Sequence, residues 1–230
     1  MHTSIEEIKK HETKPFVIKN FINEEEIENF KKLYLKLPVE INNQRQKIIK
    51  KKWSINFFPE LQQLYRQKLK SIIKDYVMDN PGTKDGIESL GLFQESFKPV
   101  SLHVDTGFDF NKIIYKQTLL PLSEGETVIF KNRFYGCSTT FSIDEKELSA
   151  KGYNKRSSEH INLYSRKPFD KVDHEKFLNH ENIENLKGLE IEMVYKWKPG
   201  EILIFDRTSL HCSSSNLNKK KIALTTSTKK

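Results

Sequence analysis

From about residue 88 onward the chain breaks into short apolar runs punctuated by glycines and turn residues, and this texture limits the folds open to it. The expected strands are 89–97, 100–104, 113–120, 126–131, 134–141, 191–197, 201–205 and 221–228. Ahead of them the first third reads as helical. Phe16-Val17-Ile18 is a short strand, and Asn23 then precedes Glu24, Glu25 and Glu26, an Asn N-cap with Glu at the third helical position. Ile27, Phe30, Leu33, Tyr34 and Leu37 follow at helical spacing, and Pro38 ends the run. A second helix is expected from Pro59 to about Met78, with Leu61, Leu64, Tyr65, Leu69, Ile72, Ile73, Tyr76 and Val77 as its stripe. Asn80-Pro81-Gly82 terminates it. Two helices followed by roughly eight short strands predict a β-sandwich or barrel with helices packed outside.

A length of 230 residues suits one domain spanning 1–230, with a helical part over about 1–85 and a β core over about 86–230. Within that core, residues 143–187 are charged and weakly periodic, as expected of a lid or insertion. Charged residues at 30% with aromatics at 11% are too apolar for a disordered chain and too polar for a membrane protein. No apolar stretch approaches the roughly 20 residues of a spanning helix. The opening MHTSIEEIKKHETK lacks the apolar region of a secretory signal. The two cysteines, Cys137 and Cys212, form neither a zinc-finger pattern nor a disulfide framework, so a reducing cytoplasm is the expected location. The formal charge is +8, and its excess sits in residues 31–80, where 12 Lys and Arg face 4 acids. That segment contains KIIKKKW (47–53), read either as an anion-attracting patch or as a solvated lysine-rich face.

Of the seven histidines, His103 alone stands in an H-x-D pattern, with Val104 and Asp105. Roughly 0.3 such pairs arise by chance in this composition, so the motif gains weight only from the residues downstream of it. Because strand side chains alternate, His103 and Asp105 point to the same side. The second element is WKPGEILIFDRTSLH (197–211): a Pro199-Gly200 turn, a buried strand from Ile202 to Phe205, and His211 at the start of the next element. Two imidazoles and one carboxylate are what an open-faced Fe(II) site needs, since that triad leaves coordination positions for a co-substrate and oxygen. Zinc can use the same donors, but then Lys221, ten residues beyond His211, has no role.

These pieces, His103-Val104-Asp105, YKQTLLPLSEGETVIF (115–130), KPGEILIF…LH (198–211) and Lys221, occur in an order that resembles the iron(II)/2-oxoglutarate-dependent dioxygenases, in particular their prolyl-hydroxylase-like and phytanoyl-CoA-hydroxylase-like branches. The opening KPFVIKNFINEEEIENF is similar to the strand and acidic-capped helix that begin those branches. The resemblance implies a mainly β fold with flanking helices around a double-stranded β-helix (jelly-roll, cupin-like) core. It implies Fe(II) held by His103, Asp105 and His211, with 2-oxoglutarate and O2 as co-substrates and Lys221 on the distal carboxylate of 2-oxoglutarate. Thr225, four residues on and on the same face, is a second candidate for that carboxylate, and Gln117 is a candidate to face the pocket. The implied reaction is hydroxylation of an unactivated C–H with release of succinate and CO2.

Glu124 stands where the prolyl-hydroxylase-like pattern often has a second glycine, and LTTST replaces the aromatics that usually follow the anchoring lysine, so peptidyl proline is not the expected substrate. KIALTTSTKK lacks the paired arginines of the nucleic-acid demethylases, which argues against nucleic acid despite the basic charge. A small metabolite, anionic in view of residues 31–80, is the first expectation; a protein side chain is the second. The rival is a non-catalytic jelly-roll module that binds an anionic partner or nucleic acid. Arg133 and Arg207 read as surface or ion-pair residues, Cys212 as a packing residue, and His160, His174 and His180 as solvent-facing. No oligomeric state is legible.

Overall fold

The computed structural model describes residues 4–44, 47–109, 111–143, 155–156, 159–160, 167–216 and 219–230. Much of the segment expected as a lid, namely 144–154, 157–158 and 161–166, therefore lies outside the described residues. The α-helices ahead of residue 88 are α1 (Ile5–Lys9), α2 (Glu24–Lys36) and α3 (Pro59–Ile72), and a single short α turn, Lys171–Asp173, follows later among the described residues. The strands are β1 (Phe16–Ile18), β2 (Ile41–Asn43), β3 (Ile48–Ser54), β4 (Val77–Met78), β5 (Ser89–Ser96), β6 (His103–Val104) and β7 (Ile114–Pro121). They continue as β8 (Glu126–Arg133), β9 (Thr139–Phe141), β10 (Lys155–Arg156), β11 (Ile191–Lys196), β12 (Ile202–Asp206), β13 (Ser209–Ser213) and β14 (Lys221–Lys229).

The strands form two sheets. The major sheet runs β1-β12-β7-β14-β5-β3-β2, with β4 paired to β14, and the minor sheet runs β10-β9-β6-β13-β8-β11. Successive strands cross from one sheet to the other: β5, β7, β12 and β14 are in the major sheet, and β6, β8 and β13 in the minor. That alternation winds the chain into the expected double-stranded β-helix, or jelly roll. Strand period two divides each sheet into an inner and an outer face. Leu119, Leu203, Phe205 and Ala223 of the major sheet meet Ile129, Tyr195 and Trp197 to form the core between the sheets.

The outer face of the major sheet is covered by α2 and α3. Phe30, Leu33 and Tyr34 of α2 and Leu61, Tyr65 and Leu69 of α3 pack on Trp53, Phe93, Leu120 and Leu224. Each fully buried Leu or Phe contributes about 1.5–3 kcal/mol of transfer free energy. The α2 cap is reciprocal: Asn23 Oδ1 accepts from Glu26 N at 2.8 Å, and Glu26 Oε2 accepts from Asn23 N at 2.8 Å. The expected second helix is shorter than its apolar stripe. It ends at Ile72, Asp75 takes a left-handed φ of 53°, and Val77-Met78 pair instead with Thr228 and Lys229 of β14. A sheet edge with free hydrogen-bonding groups outcompetes two more helical residues.

The helical expectation for the first third misses β2 and β3. Residues 48–53 of KIIKKKW form the body of β3, paired with β5. The outer face of the minor sheet is covered by Phe169, Leu178, Leu186 and Leu189, packed on Leu102, Phe130, Phe141 and Leu210. The described end of the expected lid is thus a packed wall of the molecule.

Candidate functional site

His103 on β6 and His211 on β13 are directly paired across the minor sheet, which brings their ring centroids to 4.1 Å. Each ring is fixed by its own strand: His103 Nδ1 lies 2.7 Å from Ser101 O, and His211 Nδ1 lies 3.0 Å from Ser209 O. A carbonyl can only accept, so both Nδ1 atoms donate, and in the neutral form of either ring the lone pair is on Nε2. Those Nε2 atoms stand 3.8 and 3.6 Å from Asp105 Oδ2. The donor atoms of His103, Asp105 and His211 all lie within 4.8 Å of one another, the one such group of metal-ligating types among the described residues. Burial lowers the His103 pKa to about 4, helped by the neighbouring His211. Burial works the other way on Asp105, but the neighbouring His211 and His103 and the charge of Lys50 outweigh it and hold the carboxyl well below its usual range. The resulting set, two imidazoles and a carboxylate, could hold a divalent cation.

The loop after Val104 is tied down from several sides. Arg207, buried at 3% exposure, donates from Nε to Asp105 O at 2.9 Å and from Nη1 to Asp79 Oδ2 at 2.8 Å. Gly107 has a φ of 86°, and a Cβ there would stand 2.9 Å from Arg207 Nη2, so the turn needs glycine on both counts. Gln117 on β7 faces the same carboxylate, Nε2 to Asp105 Oδ2 at 3.4 Å, while its Oε1 accepts from Ser227 Oγ at 2.6 Å.

Lys221 opens β14 on the inner face and reaches across to the minor sheet, where its ammonium donates to Ser213 Oγ. It lies 4.9 Å from the centre of the Trp197 ring. Trp197 is seated by a hydrogen bond from Nε1 to Thr127 Oγ1 at 2.8 Å, and it lies so close to Gly125 that a Cβ there would clash at 2.7 Å. The glycine of the EGET turn therefore makes room for the ring beside the lysine. Lys221 is 3% exposed and has no carboxylate within 4.0 Å among the described residues, whereas buried Lys116 meets Asp206 and buried Lys229 meets Asp79. Burial pushes its pKa down to about 8. An isolated buried ammonium is expensive, so the geometry suits an anion arriving from outside the chain.

The remaining candidates divide. Thr225 is on the inner face with its Oγ1 donating to Leu92 O at 3.2 Å. Arg133 is in an ion pair with Asp206 at 2.8 Å, and Cys212 is buried on the outer face of the minor sheet, where burial raises its thiol pKa. His160 corrects the expectation of a solvent-facing residue: it is 6% exposed, its ring lies 4.8 Å from Phe141, and its Nε2 lies 2.5 Å from Asn185 O. His174 and His180 are half-buried, with His174 Nε2 2.9 Å from Glu181 O. Ser213 and Trp197 were missed in the sequence, although Ser213, two residues after His211, shares its face by strand period alone.

No family model matches the sequence, and no curated protein matches it. Solved structures do match it in fold. HygX from Streptomyces hygroscopicus, with nickel and 2-oxoglutarate bound, aligns at a TM-score of 0.52 and 11% identity, over 99% of this chain and 87% of that one. An oxidoreductase of the 2OG-Fe(II) oxygenase family from Burkholderia pseudomallei aligns at 0.51 and 8% identity, over 94% and 85% of the two chains. The α-ketoglutarate-dependent epimerase SnoN of nogalamycin biosynthesis aligns at 0.53 and 6% identity, over 98% and 84%. The chain therefore has the jelly-roll fold of the iron and 2-oxoglutarate oxygenases.

Proposed function

We propose that this protein is an Fe(II)- and 2-oxoglutarate-dependent oxygenase, built as one domain, that acts on a small molecule. The observation that carries the reading is the pairing of two complementary sites inside one fold. His103, Asp105 and His211 present an open three-donor face, and Lys221 presents a buried cation with no carboxylate of its own. The first fits a divalent iron ion; the second fits the distal carboxylate of 2-oxoglutarate. When bound, iron(II), 2-oxoglutarate and O2 supply oxidation of an unactivated C–H bond, coupled to conversion of the co-substrate into succinate and CO2.

The chain's own part is positioning and exclusion of water. Ser101 and Ser209 carbonyls hold each imidazole with Nε2 free. Gln117 and Arg207 fix the Asp105 side chain and its backbone, which is how partners around a metal site orient its ligands. Ser213 and Trp197 hold the Lys221 ammonium in a site closed to solvent, where an ion pair is stronger than in water. HygX has been crystallised with hygromycin B and SnoN with a nogalamycin, which supports a small molecule as the class of substrate here.

Anaerobic addition of Fe(II) and 2-oxoglutarate should give a metal-to-ligand absorption band, and admission of air should release succinate. His211→Ala should lose both while keeping the far-ultraviolet dichroism of the wild type. Succinate release at the wild-type rate from the Ala variant would sink the assignment of the three donors.

A further inference from the structure

The basic run in β3 has a use that the fold makes visible. Lys50 pairs with Gln94 on β5, Gln94 pairs with Ala223 on β14, and Ala223 belongs to the core between the sheets. Paired residues of antiparallel strands share a face, so Lys50 and Gln94 are directed to the inside of the jelly roll. Lys51 shows the alternation from the other side, because its ammonium donates to Tyr34 O of α2 on the outer face. Along this row Ala223 is buried, whereas Gln94 and Lys50 are half-buried, as are Leu92 and Thr225 in the next row. Among the described residues the inner face of the major sheet is therefore partly exposed along β5 and β3. His103 and Asp105 are half-buried as well, and the Lys50 charge acts on both of them. Lys221 and its pocket lie one row further along β14, opposite Ser96.

We infer that Lys50, with Gln94 beside it, is a specificity-determining pair that receives an anionic oxygen group of the substrate, so that the substrate of this site is a small organic anion. This deepens the oxygenase reading and rests on it. Lys221 is a buried cation in a closed pocket, suited to one co-substrate. Lys50 is a half-buried cation on the inner face with an amide donor next to it, close enough for its charge to act on His103 and Asp105. Both a carboxylate and a phosphate or sulfate ester present the same oxygen chemistry to an ammonium and an amide N–H.

The test uses the full chain loaded anaerobically with Fe(II) and 2-oxoglutarate. Sulfate stands for a tetrahedral ester, acetate for a carboxylate, and tetramethylammonium chloride at equal ionic strength is the control. At least one of the two anions should shift the metal-to-ligand band saturably in the wild type, and the stronger one identifies the group. Lys50→Met should raise that anion's dissociation constant at least tenfold and leave the constant for 2-oxoglutarate within about twofold, and Lys50→Arg should restore part of the anion binding. The inference is overturned if neither anion shifts the band, if the shift is equal in Lys50→Met, or if 2-oxoglutarate affinity falls with anion affinity, since Lys50 would then serve the co-substrate. A wild-type protein that gives no band at all would instead remove the oxygenase reading, and this inference with it.

Discussion

Burying the Lys221 ammonium without a carboxylate lowers its folded pKa to about 8 from 10.5. Between those values the unfolded chain holds a proton that the native chain does not, so the ligand-free fold gains stability as pH rises through that window. The difference corresponds to about 3 kcal/mol against the charged native state at neutral pH. Lys221→Met keeps most of the stem, so it should raise the melting temperature of the ligand-free protein at pH 7. The same variant should weaken 2-oxoglutarate by roughly two to four powers of ten, the cost of a buried pair broken from one side. A lowered melting temperature, or an unchanged dissociation constant, would show that the lysine is structural. Arg207 is proposed to act by positioning, since it holds Asp79 and the Asp105 carbonyl at once. Arg207→Lys has one ammonium for two acceptors, so iron affinity should drop about 10–100-fold, as is typical when a partner behind a ligand is removed. Iron titration followed by tryptophan emission measures it, and an affinity within a factor of two of wild type would exclude the role.

At the scale of the element, what the sequence shows depends on which faces are buried. α2 is legible because one face is apolar and its cap is local; Asn23→Ala should cost about 1 kcal/mol and leave metal affinity unchanged, since α2 packs on the face opposite the site. Thermal melts and iron titrations of one preparation test both halves. β13, which carries His211, did not stand out as a strand. Its inward residues Ser209, His211 and Ser213 are polar because they line the site, which leaves only Leu210 and Cys212 to signal a buried face. β3 was hidden by composition: its lysines mimic a solvated run until β5 supplies a partner and sets alternate lysines on opposite faces. His103 and Asp105 were legible as a pair because H-x-D spacing is local, and His211 joined them only through the resemblance; the Lys50 face was not legible, because it depends on register with a strand about 40 residues away. The segment beyond Lys167 looked loosely patterned because its apolar residues belong to short α, π and 3₁₀ turns. Leu178→Ala there should cost about 2–5 kcal/mol, which denaturant melts would register; a loss below 1 kcal/mol would mean the wall is not packed on the minor sheet.

On the scale of the whole molecule, the proposed metal donors and the proposed anchor belong to different sheets. His103 and His211 are in the minor sheet, Lys221 and Gln117 in the major, and the direct polar links between them run through Ser213 and Asp105. A co-substrate that met the metal at one end and Lys221 at the other would brace the two sheets against each other. Such a ligand binds only the assembled fold, so at one hundred times its dissociation constant it adds about 2.7 kcal/mol. For a chain of this size that is a rise of about 5–10 °C in melting temperature. Mn(II) in place of iron allows the measurement in air. Mn(II) alone should give a small rise and 2-oxoglutarate alone almost none, because without the metal it keeps only the Lys221 end. Together they should exceed the sum of the two. His211→Ala should lose the joint effect by losing the metal end, and Lys221→Met should lose it by losing the anchor while still responding to Mn(II). Strictly additive shifts, or a joint shift that survives in both variants, would place the co-substrate away from the gap between the sheets.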